Sequence, residues 1–211
     1  MTIEAAVPPG PPPLIGDAAP SFRARTTMGL RTLNAYRGRW LVFFSHPADF
    51  TPVCTSEFIA FAQAHPAFQA LGCDLLALSV DSLSSHLAWQ QSIAQHFGVR
   101  IPFPIVEDPG MGIARAYGML PAGATSTATV RTAFVIDPEG IVRALTAYPL
   151  TVGRSVAEIL RLVGALQASD AADVSTPEGW RPGEPVLSHP PMTGDEVGAW
   201  GADWSHRLER L

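Results

Sequence analysis

Two short apolar runs, Trp40-Leu41-Val42-Phe43-Phe44 and Leu75-Leu76-Ala77-Leu78-Ser79-Val80, constrain this chain more than any other feature. Neither alternates with polar residues and neither is long enough for a stable helix, so each reads as a strand buried on both faces. A strand of that kind needs a covering layer on each side. The intervening residues supply one: Cys54 to Leu71 carries Phe58, Phe61, Ala62, Phe68 and Leu71 mostly at helical spacing, with Pro66 as a kink or restart.

The pattern continues with a helix over Ser84–Phe97, marked by Leu87, Ile93, Ala94 and Phe97, and a short strand around Phe103–Val106. Thr132–Ile136, Asp137-Pro138-Glu139-Gly140 and Ile141–Arg143 read as two strands joined by a tight turn. Ser155-Val156-Ala157-Glu158 has the form of a capping box, and Val156, Ile159, Leu160, Val163 and Leu166 extend a helix from it. The fold class expected is therefore α/β, a sandwich with a central mixed sheet flanked by helices. Five prolines within residues 1–13 suit an extended arm, residues 14–169 a single main domain, and residues 170–211, rich in Pro, Gly and Trp, a small and mostly irregular C-terminal appendage.

Charge excludes some functions. The net charge of −5 is spread without any Lys/Arg block, so no nucleic-acid partner is expected. The first residues have neither a basic nor an apolar leader region, and no stretch reaches about 20 apolar residues. The reading is of a cytoplasmic protein with no membrane partner. The six histidines show no metal-ligand spacing, and no glycine-rich nucleotide fingerprint is present, so neither metal nor cofactor is expected.

Only two cysteines occur, Cys54 and Cys73. Cys54 stands where a loop containing Pro47 and Pro52 gives way to a helix, and the unpaired N–H groups and positive dipole end of a helix start favour thiolate. Taken alone, a free cysteine is as often a small buried hydrophobe.

The surrounding string Ser45-His46-Pro47-Ala48-Asp49-Phe50-Thr51-Pro52-Val53-Cys54-Thr55-Ser56-Glu57 resembles the active-site loop of the peroxiredoxin family (alkyl hydroperoxide reductase and thiol-specific antioxidant type), with Pro47, Thr51 and Cys54 at the spacing of its motif. Asp81-Ser82 with His86-Leu87-Ala88-Trp89, Tyr148-Pro149 with Gly153-Arg154, and Thr176-Pro177 with Trp180 resemble the peroxiredoxin 6-type subgroup, which works with one catalytic cysteine. The resemblance spans roughly residues 14 to 191.

It implies a thioredoxin-like fold and a peroxidase in which Cys54 attacks hydrogen peroxide or an organic hydroperoxide and becomes a sulfenic acid. Thr51 would hydrogen-bond sulfur and peroxide, Arg131 would stabilise negative charge on sulfur and oxygen, and Pro47 would shield the sulfur. Glu57 would orient the arginines, with Arg154 as the second of them, and His46 would support the pocket. Cys73 reads as an inert core thiol, which leaves reduction to an external thiol: thioredoxin, glutaredoxin or a small thiol. The absence of a Cys-x-x-Cys pair counts against a disulfide oxidoreductase. Arg37-Gly38-Arg39-Trp40-Leu41 lacks the serine of the lipase-like element found in some relatives, so that second activity is not carried over. The resemblance also implies a homodimer or a ring of dimers, with the tail of Trp180, Trp200 and Trp204 packed on a neighbouring subunit. The alternative is a peroxide-sensing signalling protein with minor turnover.

Overall fold

The computed structural model describes residues 11–120 and 123–210, so the proline arm lies for most of its length outside the described residues. The chain divides into two compact units, one running to Val156 and the other beginning at Ala157. In the first unit the elements are β1 (Arg23–Thr26), β2 (Gly29–Thr32), β3 (Trp40–Ser45), α1 (Pro52–Ala70), β4 (Cys73–Ser79), α2 (Leu83–Phe97), β5 (Ile105–Glu107), α3 (Gly112–Ala116), β6 (Arg131–Ile136) and β7 (Val142–Tyr148). They build a seven-stranded sheet in the order β2-β1-β5-β4-β3-β6-β7.

Both apolar runs lie at its centre. β3 pairs parallel with β4 and antiparallel with β6, setting Phe43 opposite Leu76 on one side and Phe134 on the other. Every residue of β3 is buried, the requirement that makes its sequence continuously apolar. Alternation then sends Phe43 and Phe44 to opposite faces. Phe43 joins Phe22, Tyr117 and Phe134 in one aromatic cluster. Phe44 stacks on Phe61 with centroids 4.2 Å apart and meets Phe58 and Phe103 edge-on. α1 and α2 contribute Phe58, Phe61 and Trp89 to this second layer, and each fully buried aromatic of this size stabilises by about 1.5–3 kcal/mol.

The mixed sheet, the two helices and the β6–β7 hairpin follow the sequence reading. Local details differ. Pro66 lies within a continuous α1 and does not restart it. The strand expected at Phe103–Val106 begins two residues later, because Phe103 is occupied in the aromatic cluster. The β1–β2 hairpin and α3 have no apolar run to announce them, since only Ala24 and Thr26 of β1 are buried. Gly140 closes the β6–β7 turn with φ +77°, and a Cβ there would meet the Arg37 guanidinium at 2.5 Å, so the turn needs glycine.

The second unit contains α4 (Val156–Ala172), β8 (Val186–Leu187), α5 (Gly194–Trp200) and β9 (Leu208–Glu209), with β8 and β9 paired antiparallel. It is more ordered than its composition suggested. Thr193 and Glu196 form a reciprocal capping box that starts α5. Trp180 is buried with Ala165, Val174 and Val186, and its indole N–H donates to the Glu184 carbonyl at 3.0 Å. This small core corrects the expectation of a tail with none of its own. It also explains why the division falls at the start of α4 and not at residue 170: Ala165 on α4 packs with residues that follow it.

Candidate active site

Strand β3 delivers the chain into the loop 46–51, which three contacts fasten in place. His46 N–H donates to the Leu78 carbonyl at 2.9 Å, Thr129 hydroxyl to the His46 carbonyl at 2.8 Å, and Ser45 hydroxyl to the Val130 carbonyl at 2.6 Å. Pro47 is buried in this loop. Phe50 takes φ +58°, a strained conformation for a bulky side chain, and leaves its ring exposed. Thr51 is then the N-cap of α1, Pro52 its first residue and Cys54 its third, where a backbone N–H has no partner within the helix.

Cys54 is fully buried, and Arg131 Nη1, from the start of β6, reaches its sulfur at 3.4 Å. The same Nη1 donates to Glu57 Oε2 at 2.8 Å, while Arg131 Nε and Nη2 both donate to the Leu150 carbonyl, at 3.0 and 2.8 Å. One turn along α1 from Cys54, Glu57 also accepts from Arg154: Oε1 from its N–H at 2.7 Å and Nε at 2.9 Å, and Oε2 from its Nη2 at 2.9 Å. Arg154 Nη1 donates to the Thr132 carbonyl at 3.0 Å, and its guanidinium lies over the Phe44 ring at 5.1 Å. Burial alone raises the Glu57 carboxyl, but Arg154 and then Arg131 outweigh it and hold it below the usual carboxylate range.

Two guanidinium groups and one carboxylate leave one positive charge unbalanced, and buried charge is costly unless compensated. Among these four side chains only a Cys54 thiolate balances it. A sulfur so placed has a donor aimed at it and a helix start behind it, as a nucleophile developing charge on leaving oxygen requires.

Thr51 differs in detail from the expectation. Its hydroxyl donates to the Ala48 carbonyl at 2.9 Å, so the proton is already committed and only oxygen lone pairs remain to face a peroxide.

His46 points into a network that the sequence did not reveal. Its Nε2 donates to Asp49 Oδ1 at 2.9 Å, and His86 Nδ1 donates to Asp49 Oδ2 at 2.8 Å. All three are buried, and Asp49 N–H in turn donates to Asp81 at 2.9 Å. Burial raises the Asp49 carboxyl, yet the two imidazoles more than offset this and keep it well below its ordinary range. Burial likewise lowers the His46 imidazole, against the pull of Asp49, so the ring is neutral. His46 Nδ1 has no partner among the described residues. The trio has the composition of a metal site although no spacing advertised one. Its N to O separations of 2.9 and 2.8 Å are those of hydrogen bonds, which occupy one nitrogen of each ring and both carboxylate oxygens. The signal available in the sequence was only that Asp49, Asp81 and His86 stood in the strings that resembled the family.

Cys73 opens β4, paired with Trp40 at the far end of β3 from the loop, and burial pushes its thiol up to about 12. Five residues of strand separate that end from Ser45, roughly 17 Å at 3.3 Å per residue, whereas a disulfide needs Cα atoms within about 7 Å. Both thiols are free, and Cys54 has no resolving cysteine within reach.

A thioredoxin-like sandwich with a buried, arginine-bonded cysteine at a helix start defines a thiol-dependent peroxidase. Two family models match the chain: AhpC/TSA over residues 15–145 and the C-terminal domain of 1-Cys peroxiredoxin over residues 165–199. Peroxiredoxin 2 of Caldanaerobacter subterraneus subsp. tengcongensis is 50% identical over 185 residues, covering 88% of this chain and 84% of the relative. The peroxiredoxin of Aquifex aeolicus is 45% identical over 210 residues, covering 91% and 94%. Among solved structures, yeast mitochondrial 1-Cys peroxiredoxin superposes with a TM-score of 0.85 at 38% identity, covering 94% of this chain and 99% of that one. Peroxiredoxin 6 of Arenicola marina, as a C45S mutant, gives 0.79 at 34% identity, covering 88% of each. The chain belongs to the peroxiredoxin family, in its 1-Cys type, and acts on peroxide with a thiol as reductant.

Proposed function

We propose that Cys54 is the peroxidatic residue for hydrogen peroxide and organic hydroperoxides, and that the observation carrying this is Arg131 Nη1 held between the Cys54 sulfur and Glu57. The thiolate attacks the nearer peroxide oxygen; an S–O bond forms, the O–O bond breaks, and the departing oxygen takes a proton to leave as water or an alcohol. Thr51 accepts a hydrogen bond from the peroxide through its free lone pairs, and Arg131 donates to the oxygen that gains charge. Glu57 and Arg154 fix Arg131, Pro47 limits water at the sulfur, and His46 supports the loop.

The sulfenic acid then condenses with an external thiol, releasing water, and a second thiol reduces the mixed disulfide. Thioredoxin, glutaredoxin or a small thiol is proposed, and the yeast mitochondrial relative was solved in connection with resolution through glutathione and thioredoxin systems. Two free thiols favour a reducing compartment, the cytoplasm. A homodimer, or a ring of dimers, is proposed because β7 is an edge strand with Leu145 exposed.

Stopped-flow mixing of reduced protein with peroxide, followed by tryptophan fluorescence, tests the assignment. A rate no faster than that of a free thiol refutes it, and sedimentation as a monomer at micromolar concentration refutes the assembly.

A further inference from the structure

The Ala48–Asp49 peptide of the catalytic loop is held at both of its polar ends. Its carbonyl oxygen accepts from the Thr51 hydroxyl at 2.9 Å, and its N–H donates to Asp81 Oδ2 at 2.9 Å. Ser79 hydroxyl, at the end of β4, donates to the same Asp81 oxygen at 2.9 Å. The Asp49 side chain adds a third restraint, between His46 Nε2 at 2.9 Å and His86 Nδ1 at 2.8 Å. His86 stands in the first turns of α2 and differs from His46 in one respect. His46 Nδ1 has no partner among the described residues, whereas both His86 nitrogens face acceptors: Asp49 Oδ2 and, at 3.2 Å, the Val106 carbonyl oxygen on β5. A carbonyl can only accept. Burial raises the Asp49 carboxyl, but the two imidazoles more than offset this, so Asp49 is a carboxylate and accepts as well. Both His86 nitrogens therefore carry protons. Two further carboxylates lie at the start of α2: Asp81, and Glu107, which accepts from the Leu83 N–H at 3.0 Å and pairs with Arg25.

We infer that His86 is a positioning residue of the peroxidase: its imidazolium clamps Asp49 and so holds the Ala48–Asp49 peptide at the angle from which Thr51 presents its lone pairs to peroxide. The inference deepens the peroxidase reading and rests on it. The route is geometric. The Thr51 proton is committed to the Ala48 carbonyl, so turning that peptide turns the acceptor with it. Charge favours the same arrangement, because a buried carboxylate needs a compensating cation and His86 supplies it while His46 stays neutral, its proton on Nε2.

Long-range nitrogen–proton correlation NMR of the native protein at neutral pH reads the charge assignment without any substitution. Of the six histidines only His46 and His86 are buried, so theirs are the rings whose N–H protons exchange slowly with water. One of the two should show both nitrogens protonated, and the other a proton on Nε2 alone. Two neutral rings overturn the inference.

Two variants then read the positioning. His86→Gln keeps a donor for the Val106 carbonyl and loses the one to Asp49, and His86→Asn does the reverse. Oxidation of Cys54 by hydrogen peroxide in stopped flow should slow by about 10²-fold in His86→Gln, the cost of a group displaced by about 1 Å, and His86→Asn should recover about tenfold of that loss. Alkylation of Cys54 by iodoacetamide needs the thiolate but not Thr51, so its rate should stay native in both variants. A native peroxide rate in His86→Gln, an equal loss in the two variants, or an alkylation rate that moves with the peroxide rate overturns the inference. Where a variant does not fold, the native spectrum decides. Native protein that shows the paired spectrum yet reacts with peroxide no faster than a free thiol supports the clamp and sinks the peroxidase reading.

Discussion

Replacing Glu57 by Gln tests the charge balance of the site directly, because the shape is kept and the charge removed. In the native protein the carboxylate accepts four hydrogen bonds from two arginines: Oε1 from Arg154 N–H and Nε, and Oε2 from Arg154 Nη2 and Arg131 Nη1. A glutamine oxygen can keep the pair now at Oε1, from Arg154 N and Nε. Its NH₂ must then face Arg131 Nη1 and Arg154 Nη2, donor against donor. Two charge-assisted bonds are lost and two buried guanidinium groups are left with no carboxylate between them, a loss of about 3–5 kcal/mol for removing one partner of a buried pair. For a chain of this size that corresponds to a fall in Tm of about 6–20 °C. Turnover should fall too, since Arg131 Nη1 loses the anchor that aims it at sulfur while Nε and Nη2 stay on Leu150. Urea unfolding at pH 7 measures the first effect and stopped-flow oxidation the second. A stability loss below about 1 kcal/mol, the range of an exposed ion pair, would refute the reasoning.

Four further outcomes are expected. Arg131→Lys supplies one ammonium that cannot serve Leu150, Glu57 and sulfur together, so kcat/KM should drop by about 10²–10³ in peroxide assays, and a near-native value would contradict the placement. Cys54→Ser should abolish turnover while Cys73→Ser keeps most of it, and iodoacetamide at pH 8 should label native Cys54 but not Cys73, whose thiol burial has pushed up to about 12; mass spectrometry of the labelled chain decides. The Asp49 and Glu57 carboxyls lie below their ordinary values in the folded state, so their contribution is full above about pH 4 and is lost as pH falls through the folded values. Unfolding free energy should therefore rise with pH in the acid limb, and Asp49→Asn should flatten that slope; an unchanged slope counts against the His46–Asp49–His86 network. Phe61→Ala, which removes the ring stacked on Phe44, should cost about 3–5 kcal/mol in denaturant unfolding, with a value under 1 kcal/mol contradicting the packing.

Much of the fold was legible because its central strands are buried on both faces, and only continuous apolar sequence satisfies that demand, as Trp40–Phe44 and Leu75–Ser79 do. The β1–β2 hairpin and α5 escaped notice for the opposite reason. Their stability comes from neighbours and caps, and four-residue strands such as Arg23–Thr26 leave half their side chains in water. Within the site, Pro47, Thr51, Cys54 and Glu57 fall within eleven residues, so loop spacing and a helix start suffice to propose them.

The sequence by itself determined the central strands and the long helices between them, the placement of Cys54 at the start of α1, and the lack of any cysteine besides Cys54 and Cys73. Tertiary structure alone decided which charges surround the sulfur. Arg131 and Arg154 lie 77 and 100 positions beyond Cys54, and only the antiparallel pairing of β6 with β3 brings the first of them against it. The same holds for Asp49 meeting His86, and for the commitment of the Thr51 proton to Ala48. Backbone pattern is written locally because burial and helix periodicity are local demands. Electrostatic balance is not, because buried charges from distant segments are compensated only once the sheet has set the distances between them.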